Sequence, residues 1–156
     1  MSLFKIISLS IGLSLSSLVL GAAPCSLEVQ SGVDSTGKSN PMAFNTKSIE
    51  IPKTCKEFKI TLVNKTPLPK AAFGHNLVIS SEKDMQKVIG DGGTAGLASE
   101  FLKKGSPYLF ATKLLGPNEK DTVTVKVASL KAGTKYVFFC TFPGHSAMMK
   151  GDIVLK

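Results

Sequence analysis

One short segment near the C-terminus carries three side chains that can bind a transition metal. Cys140, His145 and Met149 follow one another with the spacing C-x4-H-x3-M, so a thiol, an imidazole and a thioether share one loop. The chain has two histidines, and the other, His75, lies in a Phe-Gly-His-Asn segment just before a predicted strand. Two imidazoles, a thiolate and a weak thioether are the ligand set of a blue copper site and suit both Cu(I) and Cu(II).

Each of these residues also has a common structural role. A buried cysteine or methionine usually packs as an apolar side chain, and a lone histidine is usually hydrogen-bonded within the fold. A Cys–His nucleophile is the enzyme alternative, but such pairs normally come from distant segments with a third, orienting residue. A c-type haem requires C-x-x-C-H, which is absent. Zinc remains able to bind, although methionine is a poor zinc ligand. The combination of residues favours copper.

The first 22 residues have the features of a secretory signal peptide. Lys5 supplies a positive charge, residues 6–20 are mostly apolar, and small residues surround Ala22. We expect cleavage after Ala22, which leaves residues 23–156 as one domain of ordinary size. A retained N-terminal anchor and a lipoprotein signal ending at Cys25 are the alternatives, and Pro24 argues against the second. No later apolar stretch reaches membrane length, so we expect no stable membrane insertion.

Export changes how the three cysteines are interpreted, because disulfides form in oxidising compartments. Pairing of Cys25 with Cys55 would close a loop of about 30 residues and contribute about 3–4 kcal/mol on the chain-entropy model. Cys140 would then be left over. It needs a separate role, because an exposed free thiol outside the cell is open to oxidation.

The charge of the chain argues against a nucleic-acid-binding protein. All 19 basic residues are lysines against 11 acidic residues, for a net charge of +8, and there is no Arg or Trp. Recognition of bases and phosphates favours Arg. The excess of lysine instead indicates solubility and attraction to acidic partners.

Short apolar runs predict a small all-β sandwich with one inserted helix. Strands are expected around Leu27 and Val29, near Phe44, and over Ile49 to Ile51, Phe58 to Leu62, His75 to Ser80, Val123 to Val127, Tyr136 to Phe139 and Gly151 to Leu155. The segment from Ser31 to Pro41 is polar and is expected to be a long flexible loop, and Asn64 to Pro69 a second loop.

The one helix is expected shortly after residue 80. Ser80 or Ser81 would cap it, with Glu82 and Asp84 in its first turn. Met85, Val88 and Ile89 would share its apolar face, and the glycine cluster over residues 90–93 would end it.

The segment from Phe139 to Gly151 resembles the ligand loop of the azurins, bacterial periplasmic blue copper proteins with the cupredoxin fold. The resemblance extends to Phe44-Asn45-Thr46, Gly74-His75-Asn76, Asp84-Met85-Gln86, Thr112-Lys113-Leu114, Glu119-Lys120-Asp121 and the Cys25/Cys55 pair. It therefore covers the whole mature chain. It implies a cupredoxin-like Greek-key β-sandwich over residues 23–156 and a disulfide between the two N-terminal cysteines.

The resemblance also implies a ligand set. One copper ion would be held in a trigonal plane by His75, Cys140 and His145, with Met149 and the backbone oxygen of Gly74 as weak axial ligands. Asn76 and the backbone N–H of Phe142 would hydrogen-bond around the Cys140 sulfur and so tune the reduction potential of the copper. Met148 is not expected to be a ligand.

The implied function is that of a monomeric periplasmic electron carrier rather than an enzyme. Its partners would be transient redox proteins such as c-type cytochromes or periplasmic reductases and oxidases, and copper sequestration or delivery is the competing hypothesis. An apolar docking patch around His145 is expected to comprise Met42, Leu68, Ala72, Phe73, Phe142, Pro143, Gly144, Ala147 and Met148.

Five features depart from the azurin pattern. The interval between Cys25 and Cys55 is longer than usual, with the excess between Ser31 and Pro41. Four single positions differ as well: Leu77 replaces a Trp, Asn64 a His, Phe73 a Met and Gly93 an apolar residue. The pH-dependent redox behaviour associated with that His is therefore not expected here.

Overall fold

The computed structural model describes residues 24–156, which form a two-sheet β-sandwich. The predicted signal peptide and its cleavage site lie outside the described residues. The strands are β1 (Ser26–Val33), β2 (Ser39–Phe44), β3 (Ser48–Ile51), β4 (Glu57–Asn64), β5 (Val78–Ser81), β6 (Tyr108–Ala111), β7 (Lys120–Lys126), β8 (Tyr136–Phe139) and β9 (Lys150–Leu155). The helices are α1 (Lys70–Phe73) and α2 (Met85–Ala95). Short 3₁₀ turns cover Glu82–Asp84, Leu97–Ser99, Val127–Ser129 and His145–Ala147.

Within the described residues, one sheet has the strand order β2-β1-β4-β7 and the other β3-β9-β8-β5-β6. The β1–β4 and β3–β9 pairs are parallel, and the remaining pairs are antiparallel. Alternating side chains of β4, such as Phe58, Ile60 and Leu62, are buried between the sheets. This confirms the sandwich expected from the period-two pattern.

Strand β8 is buried on both faces, as its continuous apolar sequence predicts. Tyr136 and Phe138 point into the main core, whereas Val137 and Phe139 pack in a second cluster with Met85 and Val88 of α2. Helix α2 therefore covers the outer face of the strand that leads into Cys140. Among residues 24–156, no helix combines the length and apolar character that a membrane crossing requires.

The prediction of a flexible loop from Ser31 to Pro41 is wrong. β1 continues to Val33, β2 begins at Ser39, and a tight turn joins them. The Asp34 carboxylate accepts hydrogen bonds from Thr36 N at 2.8 Å, Thr36 Oγ1 at 2.7 Å and Lys38 N at 3.1 Å. Composition indicated a loop, but aspartate turn chemistry closes a hairpin.

The predicted end and cap of the helix are also wrong. α2 runs through Gly90 and Gly92 and ends at Ala95. It is followed by Gly96, whose φ of 71° is left-handed. No serine side chain caps it, because the chain enters through the 3₁₀ turn at Glu82–Asp84. Gly92 is required inside the helix, where a Cβ would collide with the Phe101 carbonyl.

Several strand limits differ from those expected. β5 begins at Val78, and His75 instead forms an isolated bridge with Leu115. Val127 lies in a 3₁₀ turn after β7. β6 and the single turn α1 were not predicted, because neither has a run of alternating apolar residues long enough to stand out.

Candidate metal centre

The candidate ligands lie at one end of the five-stranded sheet, where adjacent strands begin or end. Cys140 directly follows β8, and Met149 directly precedes the neighbouring β9. The Cys140 N–H donates to the Met149 carbonyl at 3.0 Å, which closes the loop between the two strands. An antiparallel strand pair therefore brings the two sulfur-containing residues to the same end of the sheet.

His145 enters the site because the loop turns sharply at Gly144. Gly144 has a φ of 81°, a left-handed conformation that glycine adopts without strain. His145 then opens a 3₁₀ turn, and its carbonyl accepts a hydrogen bond from Met149 N at 2.8 Å. The C-x4-H-x3-M spacing thus corresponds to one compact loop between β8 and β9.

His75 approaches from the segment before β5. Its backbone pairs with Leu115 through two hydrogen bonds of 3.1 and 2.7 Å. Gly74 is extended, with φ of −71°, so its small size rather than its conformation matters there. A Cβ at this position would lie 2.7 Å from the Lys70 carbonyl and 2.9 Å from Leu114 Cγ.

The donor atoms of His75, Cys140 and His145 are spaced as a trigonal metal site requires. Nδ1 of His75 lies 3.2 Å from Nδ1 of His145, and Sγ of Cys140 lies 3.9 Å and 3.7 Å from these nitrogens, respectively. Metal bonds of about 2.0 Å to nitrogen and about 2.3 Å to sulfur, spread at about 120°, would separate the donors by about 3.5 to 3.7 Å. The donor set therefore fits one transition-metal ion.

Burial sets the protonation of these groups. It lowers the pKa of His75 to about 3, with a further lowering from His145, while the Pro41 carbonyl opposes the change. It also lowers the pKa of His145 to about 4. Both imidazoles are consequently neutral at neutral pH, as metal binding requires.

The thiol of Cys140 lacks the low pKa and the exposure of an activated nucleophile. Cys140 is fully buried, and burial raises its pKa to about 11. The backbone N–H groups of Asn76 and Phe142 hydrogen-bond the sulfur and offset part of that rise. A catalytic cysteine is instead partly exposed and has a depressed pKa. Binding of a metal would release the thiol proton.

The side chain of Asn76 joins the segment that carries His75 to the segment that carries Cys140. Its Oδ1 accepts from Thr141 N at 2.9 Å, and its Nδ2 donates to Thr141 Oγ1 at 2.8 Å and to the Glu100 carbonyl at 3.3 Å. No role for Thr141 or Glu100 was predicted from the sequence. The polar Thr141 directly follows the candidate ligand Cys140, and this position could have indicated a supporting role. Nothing in the sequence indicated a role for Glu100.

A model of copper-binding proteins of the plastocyanin/azurin family matches residues 31–156. The chain belongs to this family. It is 47% identical to azurin from Pseudomonas aeruginosa strain PAO1 over 145 residues, which is 92% of this chain and 93% of that protein. It is 52% identical to azurin from Pseudomonas putida over 125 residues, or 80% of this chain and 95% of that protein.

A solved structure also supports the cupredoxin fold expected for this plastocyanin/azurin family member. The azurin Az-iso2 from the obligate methylotroph Methylomonas sp. strain J matches with a TM-score of 0.76 and 33% sequence identity. The match covers 86% of this chain and 99% of that chain. His75, Cys140 and His145 form a buried candidate copper site in this fold.

Two substitutions noted against the azurin pattern are accommodated inside this family member. Leu77 is fully buried in the main core, and its N–H donates to Thr112 Oγ1 at 3.0 Å. Asn64 is also fully buried, and its Nδ2 donates to the carbonyls of Leu115 and Gly116 at 3.2 and 2.9 Å. It therefore stabilises the segment that pairs with His75 without adding a titratable group.

Proposed function

We propose that this protein carries single electrons through one type 1 copper ion that alternates between Cu(I) and Cu(II). The observation that carries the proposal is the convergence of two imidazole nitrogens and one thiol sulfur, all buried, at separations of 3.2 to 3.9 Å. Membership in the copper-binding plastocyanin/azurin family supports the same function.

His75, Cys140 and His145 would hold the copper, with Met149 and the Gly74 carbonyl as weak axial ligands. Met149 is fully buried in the same apolar cluster as Cys140, which keeps its thioether away from water. Bound copper would supply a one-electron couple whose potential depends on the axial ligand and on hydrogen bonding at the thiolate. Asn76 and Phe142 donate the backbone hydrogen bonds that act on that sulfur.

The arrangement of the ligands favours fast electron transfer rather than bond-making chemistry. The backbone segments that carry the three ligands are joined by the Asn76–Thr141 hydrogen bonds, by the pairing of His75 with Leu115 and by the Cys140–Met149 hydrogen bond. Little rearrangement should therefore accompany a change of charge. His145 is 3% exposed. Burial thus keeps the donor atoms away from bulk water.

Electrons would enter and leave through the apolar surface around His145. Pro143, Gly144, Ala147 and Met148 are exposed there, and Met148 has 53% of its surface accessible. The other predicted patch residues, Met42, Leu68, Phe73 and Phe142, are half-buried. A small apolar patch suits brief encounters with redox proteins such as c-type cytochromes or periplasmic reductases and oxidases. Nearby lysines, including Lys47 and Lys150, would attract acidic partners.

We further propose that the protein acts outside the cytoplasm as a single domain. Residues 1–22 would direct export to the periplasm and be removed, and residues 23–156 would function as a monomeric domain without enzyme activity. The Cys25–Cys55 disulfide is consistent with an oxidising compartment.

The absorption spectrum of the purified, copper-loaded protein tests the proposal. A thiolate–copper(II) bond gives an intense blue charge-transfer band and a narrow hyperfine splitting in electron paramagnetic resonance. We expect both, together with a reversible one-electron couple and fast reduction by a small cytochrome c. A colourless Cu(II) complex would refute the type 1 site, and loss of copper on reduction would favour copper delivery over electron transfer.

A further inference from the structure

The ring of Phe73 contacts both histidines of the candidate copper site. Its centroid lies 4.6 Å from that of His145, with 48° between the planes, and 5.6 Å from that of His75 in an edge-on arrangement of 87°. Phe142 stacks on His145 at 4.5 Å and 30°. Phe73 was predicted to belong to a docking patch, but its half-buried ring also packs against both imidazoles.

Both phenyl rings are themselves held in place. Phe73 ends the turn α1, where its N–H donates to the Pro69 carbonyl at 2.8 Å, and the tightly packed Gly74 follows it. Phe142 packs edge-on against Phe101 at 4.9 Å. Phe101 is buried and lies in a left-handed conformation with φ of 54°, directly after Glu100 with φ of 55°. His145 is therefore flanked by two phenyl rings, one on a restrained backbone turn and one packed against a buried ring.

We infer that Phe73 is a positioning residue that retains His145 as a copper ligand in both oxidation states. The inference rests on the copper site proposed above. A histidine leaves a metal by turning about its side-chain torsions, and Phe73 and Phe142 occupy space beside the ring that this rotation needs. Methionine, common at the equivalent position in azurins, is flexible and yields more easily than a phenyl ring. Phenylalanine at this position thus slows the loss of the ligand.

The rate at which reduced protein gives up Cu(I) to an excess of bathocuproine disulfonate tests this role. Phe73→Ala should transfer copper at least about tenfold faster than the wild type, the lower range for loss of a ligand-supporting contact. Phe73→Tyr, which keeps the ring, should transfer it at the wild-type rate. Phe110→Ala is the matched control, because Phe110 is another half-buried phenylalanine that packs on the core from β6.

A second readout follows the histidine directly. In the diamagnetic Cu(I) form, the His145 ring-proton resonances should broaden in Phe73→Ala and stay sharp in Phe110→Ala. Wild-type copper transfer in Phe73→Ala, or equal acceleration in Phe110→Ala, would overturn the inference. If Phe73→Ala does not fold, Phe73→Leu should still release copper faster than the wild type, and an unchanged rate would refute the role. Absence of the blue band in wild-type protein would instead refute the proposed function itself.

Discussion

The two ends of the sandwich use cysteine in opposite ways. At one end, Cys25 precedes β1 and Cys55 lies shortly before β4, and a disulfide joins them. At the other end, Cys140 is a buried thiol that faces His75 and His145. The first end is stabilised covalently, whereas hydrogen bonds and strand pairing preorganise the second for a metal. The neighbours of a cysteine, rather than the residue itself, therefore determine whether it constrains the chain or performs chemistry.

The substitution Cys140→Ser should have the largest effect, and it should be confined to the metal end. Serine replaces a soft, covalent donor with a hard, poorly ionised hydroxyl. We expect complete loss of the blue band and of fast electron transfer, measured by absorption and by stopped-flow reduction. Circular dichroism should show an unchanged sheet content. A blue Cys140→Ser protein would show that the sulfur assignment is wrong.

Removal of the disulfide should lower the stability of the protein and leave the metal site unchanged. The double variant Cys25→Ala/Cys55→Ala should lose about 3–4 kcal/mol of unfolding free energy, because its unfolded chain regains the entropy of an open loop. Denaturant titration of the copper-free protein measures that loss. The copper-loaded variant should keep the wild-type blue spectrum. A shifted spectrum would show that the two ends are coupled.

Asn76→Ala should weaken the metal end without removing a proposed ligand. The change leaves the buried N–H of Thr141 without its acceptor, which costs about 1–3 kcal/mol of stability. Copper affinity should fall by about 10–100-fold, the usual effect of losing a group that orients a ligand. Competition with a copper chelator measures it. Thr141→Val is the control, because it removes one of the two hydrogen bonds between these residues and should have a smaller effect.

The adjacent methionines should give the smallest and most selective differences. Met149→Ala should keep the blue colour and shift the reduction potential, because an axial thioether binds weakly. Met148→Ala, at an exposed position, should leave the spectrum and potential unchanged and at most slow encounters with partners. Voltammetry of both variants makes the comparison. A potential that responds to Met148 and not to Met149 would reverse their assignment.

The elements with a local signal were predictable. The alternating apolar residues of β4 and the continuous run of β8 indicated strands, and both are present. The hairpin at Asp34 and the passage of α2 through Gly92 were missed. In each case a specific contact, the Asp34 side-chain hydrogen bonds or the close approach of Phe101 to Gly92, outweighs the loop-like composition.

The sequence by itself determined which side chains can bind copper. It also determined that Cys140, His145 and Met149 share one loop. Such information is local, because a spacing of four or five residues leaves few ways for a loop to fold. The tertiary structure alone decided how His75 reaches that loop, through its pairing with Leu115 and the Asn76–Thr141 hydrogen bonds. It also decided that Phe73 packs on both imidazoles. Contacts between segments about 65 residues apart depend on how the two sheets pack, and no short-range pattern encodes them.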